Sequence, residues 1–124
     1  FMSSKDAKMD YVEFTHPGGC LVAKIITPSV GQNEAPLIRE QVLAEFSKAT
    51  RGRYFILDLS HVSLVTSLGL GMCVDLRNCA EKAGLKPAVF GLNRHLLDLF
   101  RLMRIERLFN ILSTRQEFDS AIGK

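Results

Sequence analysis

The sequence predicts an α/β domain in which a mixed β-sheet of about four or five strands packs against about four helices. Short, almost wholly apolar runs, such as residues 54–59, are typical of buried parallel strands. Segments with apolar residues at every third or fourth position, such as residues 68–83, predict amphipathic helices. The two kinds of segment alternate after an initial hairpin. Because each connecting helix implies parallel pairing of the strands it joins, we expect one mixed sheet.

The first half of the chain is predicted to form a hairpin, a helix and a central strand. Residues 11–14 and 20–26 have the composition of strands and flank a His-Pro-Gly-Gly turn. A helix begins near Pro36, a residue suited to the first helical turn. Its buried face is indicated by apolar residues at every fourth position: Ile38, Val42 and Phe46. Residues 54–59 then form the buried central strand.

The second helix and the strand after it follow from the same patterns. Apolar residues from Leu68 to Ala83 predict the helix, and Gly84 ends it. Met72 and Leu76 lie on its inward stripe and are assigned to the core. Residues 87–91 predict another short strand, which would pair in parallel with the central one.

The C-terminal part adds two helices and one short strand. Asn93 is suited to cap a third helix, whose inner face is predicted to carry four residues: Leu96, Leu99, Phe100 and Met103. Residues 109–112 predict a last strand. Thr114-x-x-Glu117 is a capping box and opens a terminal helix that buries Phe118, Ala121 and Ile122.

A single domain is predicted over residues 10–124, because no repeat, low-complexity tract or linker marks a boundary. Residues 1–9 are expected to be a flexible N-terminus. Phe1 precedes Met2 and is interpreted as a residue left over from cloning. The functional residues are therefore sought in one folded unit.

Composition argues against several functions. Lys and Arg number 16 and Asp and Glu 13, and the net charge of +3 is too small to indicate a nucleic-acid partner. The cysteines lack the spacing of a disulfide framework or a zinc site, and His16, His61 and His95 lie far apart, so no metal site is predicted. No apolar run is long enough to cross a membrane. We expect a cytoplasmic protein without a cofactor.

The stretch 58–71, Asp-Leu-Ser-His-Val-Ser-Leu-Val-Thr-Ser-Leu-Gly-Leu-Gly, carries the strongest functional signal. It leads from the central strand through a polar turn to a hydroxyl-rich helix start, where binding sites gather in such sheets. Ser67, or Thr66, lies where an N-cap belongs, and the free N–H groups there favour a negative charge. Gly69 and Gly71 have no side chains, so a partner could approach closely.

This stretch resembles the STAS signature of bacterial anti-sigma factor antagonists, approximately Asp-Leu-Ser-x-Val-x-x-Ile-Asp-Ser-Ser-Gly-Leu-Gly. The matching residues are Asp58, Leu59, Ser60, Val62, Ser67, Gly69, Leu70 and Gly71. Residues 91–93 and 99–109 resemble the family's last strand and third helix, and residues 35–40 resemble the start of its first helix. The resemblance runs in unbroken order over roughly residues 10–122 and is more specific than a lone motif.

The resemblance implies a partner-switching mechanism. In that family an unphosphorylated antagonist binds an anti-sigma factor kinase and thereby frees the sigma factor. The kinase then phosphorylates a Ser or Thr at this helix start, and the complex dissociates because the phosphate adds roughly two negative charges to the interface. The implied partner is an anti-sigma factor or serine kinase protein, the implied process is the regulation of transcription, and ATP belongs to the kinase.

The resemblance also ranks the hydroxyl groups. The family's usual acceptor immediately precedes the first Gly of the motif, where this chain has Leu68, which cannot accept phosphate. Thr66 replaces the Asp two positions earlier, and the acidic residue usual before the first helix is missing around residues 27–33. In the stressosome branch the acceptor is a Ser or Thr followed by a bulky apolar residue, as Ser67 is by Leu68. Ser67 is therefore the first candidate for phosphorylation and Thr66 the second.

Most of these residues also have a purely structural interpretation. Ser67 would be an N-cap worth about 1 kcal/mol, and Ser60 and Ser63 would satisfy backbone groups in the turn. Asp58 would shape the end of the strand, because no second carboxylate, base or metal ligand accompanies it. For Gly69 and Gly71, close packing of the helix on the sheet competes with the contact role. The basic stretch of Arg94, Arg101, Arg104 and Arg107 could meet an acidic partner, nucleic acid or an anionic lipid surface, but a solvated helix face with an Arg94–Asp98 pair is favoured.

We predict a protein that binds a partner rather than an enzyme, because no acid, base and nucleophile can be assembled from the sequence. The expected interface combines the loop 27–33, the turn 60–67 and the exposed face of the second helix. Its residues are Ser60, His61, Ser63, Thr66, Ser67, Leu68, Gly69, Gly71 and Asp75, with Arg77 and Asn78 nearby. The alternative is an adaptor subunit of a larger assembly, such as a stressosome-like particle or a lipid-transport ATPase complex, without a phosphate switch. A homodimer also stays open.

Overall fold

The computed structural model describes residues 10–124, in which strands and helices alternate as predicted. The expected flexible N-terminus, residues 1–9, lies outside the described residues. The strands are β1 (Val12–Thr15), β2 (Leu21–Ile25), β3 (Ser29–Val30), β4 (Tyr54–Asp58), β5 (Leu64–Val65), β6 (Lys86–Phe90) and β7 (Asn110–Leu112). The α-helices are α1 (Ala35–Leu43), α2 (Ser67–Lys82), α3 (Arg94–Leu102) and α4 (Arg115–Ala121).

The main sheet has five strands in the order β1-β2-β4-β6-β7 and is mixed, as the sequence predicts. β1 pairs with β2 in antiparallel fashion, and the later neighbours pair in parallel. The crossovers through α1, α2 and α3 all step in the same direction across the sheet. Because such crossovers are right-handed, these three helices lie on one face and α4 covers the other.

The two faces of the sheet bury separate sets of side chains, because successive residues of a strand point to opposite sides. Phe55 and Leu57 of β4 join the core beneath α1, α2 and α3. Ile56 and Val22 join a smaller core that includes Phe118 of α4. Both faces of β4 are covered, which explains why residues 54–57 are all apolar rather than alternating with polar ones.

The helix ends follow their local sequence signals. The Asn93 side chain caps α3 by accepting a hydrogen bond from the Leu96 N–H at 2.8 Å. Thr114 and Glu117 form the predicted capping box of α4. Gly84 has a φ of +82°, the left-handed conformation that ends a helix with little cost only at glycine. These three ends were predicted from the sequence and are confirmed.

Two core predictions need correction. Phe46 was assigned to the first helix, but α1 ends at Leu43 and Phe46 lies in a separate 3₁₀ turn, where its ring packs against Phe55 at 5.1 Å. Met103 was predicted to face the core, but it is 56% exposed. Helical spacing places a residue inward only while the helix continues, and α3 ends at Leu102. Arg104 follows with a φ of +59°, so the chain turns away at this point.

Candidate functional site

The candidate site lies at the edge of the sheet where β2, β4 and β6 end. Hydrogen bonds tie together the loops that follow these strands: the Ser63 N–H donates to the Pro28 carbonyl at 2.8 Å, and the Leu59 N–H donates to the Phe90 carbonyl at 2.8 Å. The amide of Asn93, at the start of α3, donates to the Val62 carbonyl at 3.3 Å. Loops distant in sequence therefore form one continuous surface, as expected for the carboxyl edge of parallel strands.

Asp58 organises the turn that leaves β4. Its buried carboxylate accepts hydrogen bonds from the N–H of Ser60 at 2.9 Å and from the Ser60 hydroxyl at 2.6 Å. Nδ1 of His61 lies 3.3 Å from the same hydroxyl. Gly91 lies so close to Ser60 that an added Cβ would be 2.6 Å from the Ser60 Cβ. The structural interpretation of Asp58 is confirmed, whereas the Ser60 hydroxyl bonds a side chain rather than the turn backbone.

A small second sheet, not predicted from the sequence, covers this edge. β3 and β5 pair in parallel, with Ser29 opposite Leu64 and Val30 opposite Val65. Alternation along β5 directs Val65 into the core and leaves Leu64 50% exposed. The pair was missed because two-residue strands have too little sequence to show a period.

Thr66, not Ser67, is the N-cap of α2. The Thr66 hydroxyl accepts a hydrogen bond from the Gly69 N–H at 3.3 Å and donates one to the Val30 carbonyl at 3.4 Å. Of the two residues predicted as the N-cap, Thr66 is confirmed and Ser67 is not. Ser67 is the first residue of α2, and its exposed hydroxyl has no hydrogen-bond partner within residues 10–124.

The two glycines of α2 have different surroundings. An added Cβ at Gly69 would lie 2.6 Å from Val65 Cγ1 and 2.7 Å from the Val30 carbonyl oxygen. The helix start therefore packs directly on the β3–β5 pair, and Gly69 is buried. At Gly71 an added Cβ would meet nothing within 4 Å, and this glycine is exposed. Close packing thus explains Gly69 but not Gly71.

A groove of about 360 Å³ lies between α1 and α2. Arg39 of α1 donates a hydrogen bond to the carboxylate of Asp75 of α2 across it. This hydrogen bond raises the pKa of the Arg39 guanidinium. The lining is largely apolar: Gln32, Ala35, Pro36, Arg39, Leu68, Gly71, Met72 and Asp75. Met72 is buried as predicted, and its remaining exposed surface faces this groove.

We call this region the carboxyl-edge surface: the exposed residues Ser60, His61, Ser63, Leu64, Thr66, Ser67 and Leu68, together with the groove between α1 and α2. Leu68 is 59% exposed. Most of the residues predicted for the interface therefore meet on one surface, although Gly69 is buried beneath it. Leu64 was missed because its outward direction depends on the unpredicted β3–β5 pair. Arg39 was missed because nothing in the sequence links it to Asp75.

Arg77 lies away from this surface, contrary to expectation. Its Nε donates to the Leu108 carbonyl at 3.0 Å, and its Nη2 lies 2.9 Å from Glu81. The side chain therefore joins α2 to the segment before β7. Asn78 is exposed and accepts a hydrogen bond from Arg77 at 3.1 Å.

Residues 10–124 contain no group of His, Cys, Asp and Glu side chains that could hold a metal ion. Burial raises the pKa of the Cys73 thiol to about 12, so this thiol is protonated and unreactive near neutral pH. None of the helices described is long and apolar enough to cross a membrane.

Comparisons with known proteins agree with this architecture. A family model for the STAS domain matches residues 11–118. An anti-sigma factor antagonist STAS domain protein from Planctomyces limnophilus superposes with a TM-score of 0.81 at 18% identity, covering 94% of this chain and 100% of the other. The unphosphorylated anti-sigma factor antagonist SpoIIAA gives a TM-score of 0.70 at 11% identity, covering 91% and 97%.

The phosphorylated form of SpoIIAA, from Bacillus, gives a TM-score of 0.63 at 12% identity, covering 88% of this chain and 97% of that one. At these identities the likeness establishes the fold. No curated protein sequence matches the chain.

Proposed function

The chain belongs to the STAS domain family, and from that premise we propose that it is an anti-sigma factor antagonist that binds a kinase-type anti-sigma factor through the carboxyl-edge surface. Such binding regulates transcription by partner switching. The proposal places the protein in the cytoplasm with a protein partner and requires no nucleic acid, metal or cofactor on this chain. Solved structures of anti-sigma factor antagonists with the same fold support the proposed class.

The free hydroxyl of Ser67 is the observation that carries the switch. A kinase needs an exposed hydroxyl that is not already engaged, and Ser67 lies exposed at the first position of α2. The neighbouring Thr66 hydroxyl is engaged by Gly69 and Val30, and the Ser60 hydroxyl is bonded to Asp58. We therefore assign phosphorylation to Ser67 ahead of Thr66.

A phosphate on Ser67 would have opposite effects on the free protein and on the complex. In the free protein it would lie at the N-terminus of a 16-residue helix, where the helix dipole and free N–H groups favour negative charge. In the complex it would lie beside Leu64 and Leu68, whose apolar surface is available to a partner. Desolvating a doubly charged group there is costly, so phosphorylation releases the partner without unfolding the protein.

Titration calorimetry with purified anti-sigma factor kinases encoded by the source organism tests the proposal. We expect one kinase to bind the wild-type protein and the Ser67→Ala variant. Ser67→Asp should weaken that binding about 100-fold or more, equivalent to about 3 kcal/mol. Ser120→Asp is the matched control, because Ser120 is exposed on α4 at the opposite face of the sheet and its replacement should leave the affinity unchanged.

The same pair of proteins with ATP tests the chemistry. Mass spectrometry should locate the transferred phosphate on Ser67, and Ser67→Ala should abolish the transfer. A kinase that binds wild type and Ser67→Asp equally, or phosphate found only on another residue, would contradict the switch at Ser67.

Leu68 supports a second function, a constitutive adaptor subunit of a larger assembly. This side chain is 59% exposed and lines the groove between α1 and α2, so a neighbouring subunit could cover it permanently. In that case Leu68→Ser should abolish binding to the assembly while Ser67→Asp leaves it intact. The homodimer remains a prediction, to be checked by sedimentation of the purified protein.

A further inference from the structure

A second exposed surface lies at the opposite end of the molecule. α3 starts beside Val62, where Asn93 makes its contact with the carboxyl edge, and runs back across the sheet for nine residues, about 13 Å. The chain after it leads to β7, whose first residue, Asn110, donates a hydrogen bond to the carbonyl of Pro87 near the start of β6 at 3.1 Å. The last turn of α3 therefore points away from the carboxyl-edge surface.

This end exposes two large apolar side chains among arginines. The consecutive residues Arg101, Leu102, Met103 and Arg104 are all exposed, and so is Arg107. Leu102 is 77% exposed and Met103 is 56% exposed. We call these five residues the basic apolar patch. Two large apolar side chains that are exposed together contribute little to the stability of the domain. Exposed apolar surface of this kind is typical of a site that binds a partner.

The guanidinium groups of the patch are not used within the domain. Arg94, earlier on α3, is paired with Asp98 at 3.4 Å. In contrast, Arg101, Arg104 and Arg107 form no ion pair within residues 10–124. Three positive charges are thus left for a negatively charged partner, although the chain as a whole carries only +3.

Arg104 ends α3 in the same left-handed conformation that Gly84 adopts after α2. Within residues 10–124, Arg104 is the only residue other than glycine that has a positive φ, +59°. Glycine adopts this conformation more easily than arginine. The strained backbone brings an arginine side chain to the end of the helix, directly after two exposed apolar residues.

We propose that the basic apolar patch binds the surface of an anionic lipid bilayer. Protruding aliphatic side chains insert at the boundary of headgroups and acyl chains without needing a matching pocket, and the arginines pair with anionic headgroups. A symmetric contact with a second copy of the chain would set arginines against arginines. Nucleic acid is disfavoured because the exposed centre is aliphatic and offers no aromatic ring for base stacking.

The binding is peripheral and is compatible with a partner on the carboxyl-edge surface, because the two surfaces lie at opposite ends of the domain. A protein partner held at the carboxyl edge would then be brought to the membrane. This inference goes beyond the proposed function and does not depend on it.

Cosedimentation with vesicles tests the inference. Wild-type protein should pellet with vesicles of phosphatidylcholine and phosphatidylglycerol and stay in solution with phosphatidylcholine alone. The partition coefficient should fall as salt is raised, since screening shortens the Debye length from about 8 Å at 0.15 M to about 3 Å at 1 M. Arg101→Gln with Arg107→Gln should lower it about 25-fold, because each cation near an anionic surface is worth about fivefold.

Matched variants separate this surface from the other. Leu102→Ser with Met103→Ser should lower the partition coefficient about tenfold or more. Leu64→Ser with Leu68→Ser, which removes similarly exposed aliphatic side chains at the opposite end, should leave it unchanged. Circular dichroism confirms that each variant is folded. Wild-type protein that stays in solution with anionic vesicles at low salt, or equal loss in both double variants, would overturn the proposal.

Discussion

The carboxyl-edge surface and the basic apolar patch both expose aliphatic side chains, but they are built differently. At the carboxyl edge, buried Gly69, the Thr66 cap and the Asp58 turn hold Leu64 and Leu68 on a backbone joined by hydrogen bonds. At the patch, Leu102 and Met103 stand at a helix end. The first surface is preorganised and carries hydroxyl groups, which suits a specific protein partner. The second combines unpaired arginines with protruding side chains, which suits a partner without fixed shape.

Gly69→Ala should produce the largest effect, because the carboxyl edge depends on close packing. The added Cβ would meet the Val30 carbonyl oxygen at 2.7 Å and Val65 at 2.6 Å. We expect a loss of about 1–3 kcal/mol in the free energy of unfolding, measured by urea denaturation. Gly71→Ala is the control: it has open space and should gain about 0.5–1 kcal/mol from helix propensity. Equal stability of the two variants would show that α2 does not pack tightly on β3 and β5.

The next largest effect on stability is expected from the hydroxyls of the adjacent residues Thr66 and Ser67. Thr66→Ala removes the N-cap of α2 and should cost about 1 kcal/mol. Ser67→Ala removes a hydroxyl without a hydrogen bond in the described part of the chain and should change stability by less than about 0.5 kcal/mol. Thermal and urea unfolding of the two variants measure the difference. If Ser67→Ala lowers the free energy of unfolding more than Thr66→Ala does, Ser67 has a structural role, and its assignment as the phosphorylated residue is weakened.

Arg104→Gly should have the smallest effect on stability and the opposite sign. The left-handed conformation costs a non-glycine residue roughly 1 kcal/mol, and the greater freedom of glycine in the unfolded chain offsets part of that gain. We expect the free energy of unfolding to rise by about 0.5 kcal/mol, while binding to anionic vesicles falls about fivefold. Lower stability in Arg104→Gly would mean that the arginine serves the fold, and unchanged vesicle binding would remove it from the patch.

Much of the fold could be predicted because its signals are local. The capping box at Thr114, the cap at Asn93 and the stop at Gly84 each act within one turn of helix, so a few neighbouring residues suffice to recognise them. The apolar run 54–59 identified the central strand, since a strand covered on both faces needs no polar alternation. Met103 was misplaced because periodicity does not indicate where a helix ends.

The candidate site could be predicted only in part. The motif located Ser67, Leu68 and their neighbours, and the resemblance identified the family. Whether a given hydroxyl forms a hydrogen bond depends on residues distant in sequence. The Thr66 hydroxyl, for example, donates to the carbonyl of Val30, which lies 36 positions earlier. The assignment of the cap to Thr66 therefore required the structure.

The sequence by itself determined the α/β class, the order of the main strands and helices, and the stretch that carries the family signature, because these depend on local periodicity and short motifs. Only the tertiary structure decided which of these side chains are free. It paired β3 with β5, joined Arg39 to Asp75 and left Leu102 and Met103 in solvent beside unpaired arginines. Exposure and pairing are properties of contacts between distant segments, and no local pattern encodes them.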